Sequence, residues 1–244
     1  MLSDINALEQ FPRQIARGRR TEEISDRRSN RARDPETHGA VQRLADPPGG
    51  DQLISMTELV FVKHSLAEIT PDVISHRWVL SQEGRDRCSW LATELKSLGV
   101  ARVYASLEPK ALETAALAAV QLGVHVSPRP GLHENDRQGL GFVSPAELDR
   151  RMKRFFDSPL ELVVGTETAQ AALQRFEVAV RALASETPDQ RAAVVTHGTV
   201  LSLLVAKHNP IAPFDFWKSL ALTSYVRLDR SSFALDGPVR GFPG

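Results

Sequence analysis

From residue 58 onward, short apolar runs alternate with amphipathic stretches, and this alternation restricts the fold more than any other feature of the chain. "ELVFV" (58–62) reads as a strand buried on both faces. "ARVYAS" (101–106), "VHVSP" (124–128), "AAVVTHG" (192–198) and "SYVRLD" (224–229) read as further strands. Between them lie helical patterns. Ser81 caps one in which Cys88, Leu91, Leu95 and Leu98 share a face and which stops at Gly99. "PKALETAALAAVQLG" (109–123) opens with proline and closes with glycine. Helical patterns also cover 144–156, 167–185 and 199–207, the second with Leu173, Phe176, Val180 and Leu183 on one side. Strands alternating with helices predict an α/β fold: a three-layer sandwich with a mostly parallel central sheet and helices on both faces.

Residues 1–56 follow a different rule. "RQIARGRRTEEISDRRSNRARDPETHG" is rich in Arg, Asp, Glu and Ser, and too poor in large apolar residues to offset its ordering entropy. The expectation is a disordered extension, with "DPPGGDQ" (46–52) as linker, a folded domain over 57–232 and a loop-like tail over 233–244. The interleaved acidic residues argue against a nucleic-acid arm or a transit peptide. Thirty basic and thirty acidic residues cancel, so overall charge selects no polyanionic partner. Cys88, the one cysteine, excludes an internal disulfide framework and reads as a buried helix residue. The absence of a long apolar run and of a secretory signal leads to the expectation of a cytoplasmic protein that does not enter a membrane.

Three apolar runs end in residues suited to one task. The first ends at Lys63-His64-Ser65, the second at Ser106 just ahead of Lys110, and the third at Thr196-His197-Gly198. In a parallel α/β sheet, ligands bind beyond the carboxyl ends of the strands, where helix N-termini also point. Two histidines and two lysines gathered there would form an anion pocket holding a nucleophile. His76, His125, His133 and His208 lack such a context and read as surface or packing residues.

These segments resemble the histidine phosphatase superfamily, also called phosphoglycerate mutase-like. "LVFVKHS" (59–65) stands where the family has a strand ending in Arg-His-Gly, and "VLSQEG" (79–84) where it has Leu-Thr-x-x-Gly. "YASLEPKALETA" (104–115) follows the family's Ser-Pro-x-x-Arg-Ala-x-x-Thr-Ala, "GLHENDRQG" (131–139) supplies an acid, and "VVTHGTV" (194–200) matches the closing Ser/Thr-His-Gly. The resemblance spans about 58 to 230, and "GTETAQAALQRF" (165–176) is similar to the family's Gly-Glu-Ser/Thr helix start, read first as Thr166 or Thr168 capping that helix, with Glu167 or Arg175 at the pocket rim as the alternative.

The resemblance implies a metal- and cofactor-independent phosphatase, hydrolysis being favoured over a mutase because the 137–164 segment is short for a lid. His64 would attack phosphorus, since neutral imidazole is a good nucleophile near neutral pH. Glu134, with Asp136 as rival, would protonate the leaving oxygen and then activate water. Lys63, Lys110 and His197 would hold the phosphoryl oxygens, aided by the hydroxyls of Ser65 and Ser106. The substrate would be a small-molecule phosphoester or a phosphoprotein. Where the family has arginine, this chain has Lys63 and Lys110, ammonium groups without the two-pronged grip of guanidinium. Ser65 replaces a glycine, and Glu108 sets a negative charge close to the proposed phosphate site. Two other readings compete with the enzyme. One is a weak or inactive relative that binds a phosphate ligand; the other is a metallohydrolase ligated by His64, His197, Glu134 and Asp136, which lacks a paired-His spacing.

Overall fold

In the computed structural model, residues 58–71, 73–137, 141 and 143–243 are described. The disorder and linker expected over 1–56 lie outside them. Six strands form one sheet in the order β3-β2-β4-β1-β5-β6. They are β1 (Glu58–Lys63), β2 (Arg102–Ala105), β3 (Val126–Pro128), β4 (Ala192–Thr196), β5 (Ser224–Asp229) and β6 (Arg240–Gly241). Strands β3, β2, β4 and β1 are parallel, β5 pairs antiparallel with β1, and β6 pairs antiparallel with β5 at the edge. The helices are α1 (Gln82–Ser97), α2 (Pro109–Leu122), α3 (Pro145–Asp157), α4 (Ala169–Glu186), α5 (Gly198–His208) and α6 (Pro213–Ser219). The α/β sandwich read from the sequence is the one observed.

Alternation along each strand divides the interior into two cores, because successive side chains point to opposite faces. Leu59 and Phe61 of β1, with Ala192 and Val194 of β4, pack among Phe155, Phe176, Leu201 and Phe216 from α3 to α6. Val60 and Val62, with Ala193 and Val195, meet Leu91, Leu95, Ala111 and Ala115 of α1 and α2. Both faces of β1 and β4 are therefore covered, which is why their sequences read as unbroken apolar runs. No described helix is long and apolar enough to cross a membrane.

The helix starts follow their signals. Ser81 caps α1 by accepting the Gly84 N–H at 3.0 Å, Ser144 caps α3 and Thr168 caps α4 in the same way. Gly123 closes α2 in the left-handed region at φ 70°. Two elements depart from expectation. Helix α6 escapes a periodicity search because its seven residues span barely two turns. The segment after 231 is more than a loop-like tail: Phe233 is fully buried, and Tyr225 and Ser224 pair with Arg240 and Gly241 of β6. A single large aromatic on a short segment carries no period by which to be recognised.

Gly84 is required by a close approach. A Cβ there would lie 2.0 Å from the carbonyl oxygen of Leu66, the residue two places after His64. Backbone on both sides leaves nothing flexible to move. Gly84→Ala is expected to destabilise the fold by about 3 kcal/mol or more, at the upper end of overpacking costs. Thermal unfolding checks this, with a fall of about 2–4 °C per kcal/mol for a domain of this size.

Candidate active site

The parallel register places the site. Lys63 of β1 is opposite Thr196 of β4, and Ala105 of β2 is opposite Val195, so the residues that follow these strands emerge side by side. His64 and His197 lie edge to face with ring centroids 5.2 Å apart. The His197 Nε2 is 2.8 Å from Ser106 Oγ. Three strand ends thus converge on one cluster at the carboxyl edge of the sheet.

His64 is buried, and its Nδ1 lies 2.8 Å from the Ser65 carbonyl oxygen. A carbonyl only accepts, so Nδ1 carries the proton and Nε2 keeps its lone pair; the tautomer is assigned from this bond. Burial, then the Lys110 charge, pushes the imidazole down to about 3, so it is neutral throughout the physiological range. His197 is also driven well below its ordinary value, by burial first and by His64 second. Its Nδ1 is buried without a hydrogen-bond partner among the described residues.

The backbone around His64 is held from behind. Ser65 N–H donates to Thr114 Oγ1 at 3.0 Å, and Ser65 Oγ donates to the Gly84 carbonyl at 2.7 Å. The same hydroxyl lies 2.5 Å from Thr223 Oγ1. It therefore braces the turn instead of facing a phosphoryl oxygen, the role expected of it from the sequence. Thr223 has φ 60°, a left-handed conformation that a β-branched residue strongly disfavours, while its N–H reaches the His64 carbonyl at 3.3 Å.

Glu134 lies across the start of α5. Its carboxylate accepts the N–H groups of Thr199 at 3.2 Å, Val200 at 3.3 Å and Asn135 at 3.0 Å. A carboxylate there meets both orphan donors and the positive end of the helix dipole. Asp136, its rival in sequence, instead accepts the Thr166 hydroxyl. A second layer fixes this loop: Arg175 donates to the carbonyls of Gly131 and His133, both at 2.9 Å, and ion-pairs with Glu167 at 2.6 Å. Arg175 and Glu167 are thus supports of the acid-bearing loop. Gly165, at φ 74°, touches the same loop so closely that a Cβ would overlap the Asp136 carbonyl.

The cations are arranged less freely than their sequence positions suggest. Lys63 Nζ donates to the Leu220 carbonyl at 2.7 Å, and burial pushes its ammonium down to about 8, with Glu134 acting in the opposite direction. Lys110 Nζ donates to Glu108 Oε2 and to the Ser75 carbonyl, both at 2.6 Å. Arg137, overlooked in the sequence, donates to Thr199 Oγ1 at 2.7 Å and pairs with Glu134 at 3.4 Å. It brings a guanidinium to a site where the resemblance implied two arginines and the chain has Lys63 and Lys110. Its presence three residues after Glu134, in the same loop, was the available signal.

Beside the histidines lies an open cleft of about 480 Å³, lined by the Ser75–Arg77 turn, Leu107–Pro109 and the His133–Arg137 loop. His76 and His133, read from sequence as surface or packing residues, are among its walls. Neither His64 nor His197 lines it. Glu108 belongs to both features, lining the cleft and reaching His197 Nε2 at 3.5 Å. Among the described residues, no group of three His, Cys, Asp or Glu side chains could hold a metal ion.

Comparison with known proteins agrees with this architecture. Residues 74–235 match the model of the histidine phosphatase superfamily (branch 1). The match begins downstream of His64, whose place in the site therefore rests on the geometry above. No curated protein matches. Among solved structures, a mycobacterial glucosyl-3-phosphoglycerate phosphatase is 17% identical with a TM-score of 0.60, over 74% of this chain and 96% of its own. A putative alpha-ribazole-5'-P phosphatase from Escherichia coli is 21% identical with a TM-score of 0.59, over 77% and 96%. A mutant phosphoserine phosphatase from Entamoeba histolytica, in complex with phosphoserine, is 18% identical with a TM-score of 0.57, over 70% and 90%. At these identities the likeness is one of fold.

Proposed function

This chain belongs to the histidine phosphatase superfamily, and on that premise we propose that it hydrolyses a phosphomonoester through a phosphohistidine on His64. The observation that carries this reading is the bond from His64 Nδ1 to the Ser65 carbonyl, which directs the lone pair to Nε2 in a ring that burial keeps neutral. A neutral, oriented imidazole is the form that attacks.

In the first half-reaction Nε2 bonds to phosphorus as the ester P–O bond breaks, and a protonated Glu134 gives its proton to the departing oxygen. In the second, water attacks the phosphohistidine, Glu134 takes the water's proton, and the N–P bond breaks to release phosphate. One carboxyl group serves both steps. Lys63, Lys110 and Arg137 would face the equatorial oxygens, and Ser106 and His197 would complete the pocket when the ligand displaces their mutual bond. Rapid quenching during turnover of para-nitrophenyl phosphate, in the presence of EDTA, tests the pathway. Acid-labile phosphate should map to His64; its absence under turnover, or activity lost to EDTA and restored by a metal, sinks the mechanism.

The pairing of Lys110 with Glu108 favours one other reading, a relative that binds phosphate ligands with little turnover. Folded protein that binds phosphate but releases none from a panel of phosphoesters would establish it.

Lys63 supplies a prediction in pH. Below about 8 its ammonium is charged, and as pH rises through that value the charge is lost. Phosphoryl binding should therefore weaken on the alkaline side, seen as a falling limb in kcat/KM with a midpoint near 8. Lys63→Arg, charged throughout the range, should remove the limb. An unchanged limb in that variant would assign it to another group.

A further inference from the structure

The group that fits least with a site for a doubly charged phosphoryl anion is Glu108. It is 8% exposed, and its carboxylate takes donors that a phosphoryl group would need. Oε2 accepts the Lys110 ammonium at 2.6 Å, and Oε1 accepts the Glu134 backbone N–H at 2.8 Å. Oε1 also lies 3.5 Å from His197 Nε2. Glu108 lines the open cleft as well, so a ligand moving from the cleft toward the histidines meets this carboxylate.

We propose that Glu108 determines specificity: the site takes its ester as the singly protonated monoanion, the P–OH donating to the Glu108 carboxylate, and rejects tetrahedral dianions that carry no proton. This deepens the phosphatase reading and rests on it for turnover, though not for binding. A carboxylate has only acceptor sites, so an oxygen that settles against it must bring a hydrogen. A dianion settled against Glu108 would bring like charge to a buried carboxylate with no hydrogen between them.

The consequence is a dependence on the protonation of the substrate. The second ionisation of an alkyl phosphomonoester falls near pH ~6. As pH rises through it, the ester loses the proton that Glu108 accepts, and kcat/KM falls, a limb that lies below the Lys63 limb near 8 and that Lys63→Arg leaves in place. The charged or titratable groups around Glu108 are Lys110 on α2, His133, Glu134, Asp136 and Arg137 on the loop, His76 and Arg77 across the cleft, His197 before α5, Lys63 at the end of β1 and His64 just after it. His133 is held below its ordinary value by burial and by Arg175, so it too changes charge on the acid side. A measurement that does not depend on its titration is needed.

Comparison of phosphate with sulfate at a fixed pH of about 6 meets that need, since the two ions share a shape and only phosphate retains a proton there. In calorimetric titrations, wild-type protein should bind phosphate at least about tenfold more tightly than sulfate, because a site built around a hydrogen bond rejects the analogue that lacks it. Glu108→Gln, whose amide can donate to an unprotonated oxygen, should tighten sulfate and bring the ratio toward one. Equal binding by wild type, no phosphate binding at all, or an unaltered ratio in the variant would overturn the proposal. Should Glu108→Gln fail to fold, the wild-type ratio decides alone. The ratio is read without turnover, so the two readings fail separately. Discrimination without phosphate release leaves the Glu108 assignment standing and removes the enzyme; release without discrimination does the reverse.

Discussion

His64→Ala is expected to lower phosphate release by about 10⁴-fold or more, in line with the loss of a nucleophile from a unit whose members act together. No neighbour can replace it. The other imidazole in the cluster, His197, has no exposed surface and directs Nε2 at Ser106 and Glu108. The loss should appear with para-nitrophenyl phosphate as well as with alkyl esters, because both depend on the same nucleophile. Thermal unfolding should move little, since the bond from His64 Nδ1 is to the neighbouring Ser65 and holds no distant element in place. Residual activity within tenfold of wild type, from protein shown to be folded, would remove His64 from the mechanism.

Glu134→Gln separates acid catalysis from positioning. Loss of a general acid costs about 10²–10⁴-fold, concentrated where the leaving group most needs a proton. An alkyl phosphate should suffer near the top of that range, while para-nitrophenyl phosphate, whose phenolate leaves unaided, should suffer least. Equal losses with both esters would mark Glu134 as a structural residue. The variant should also be less stable by about 1 kcal/mol, because a glutamine can offer one carbonyl oxygen but must turn an NH₂ toward amides that Glu134 now satisfies.

How much of this was legible in the sequence differs from residue to residue, for physical reasons. Strands β1 and β4 are covered on both faces and so announce themselves as apolar runs ending in His64 and His197. Their adjacency in the sheet turned two separate motifs into one cluster. Ser81 and Thr168 act within one helical turn, and short-range chemistry of that kind survives in sequence. What stayed hidden depends on long-range pairing. The Ser65 hydroxyl is directed by Gly84 and Thr223, residues distant along the chain. The Glu108 side chain was noted for its charge, but only the approach of the 131–137 loop reveals that it holds the Glu134 N–H. Arg137 went unread because a cation beside acidic residues in a loop looks like any solvated surface, until α5 brings Thr199 to it.

The carboxylate of Glu134 at the head of α5 ties chemistry to scaffold. On the proposed mechanism, a proton on that group would weaken its hold on the amides of Thr199 and Val200, at the start of a helix whose Leu201 and Leu204 are anchored in the core. Each catalytic cycle would then loosen and retighten the first turn of that helix. Deuterium uptake at those two amides would rise with turnover and subside when substrate is exhausted, an internal clock running at the frequency of the enzyme.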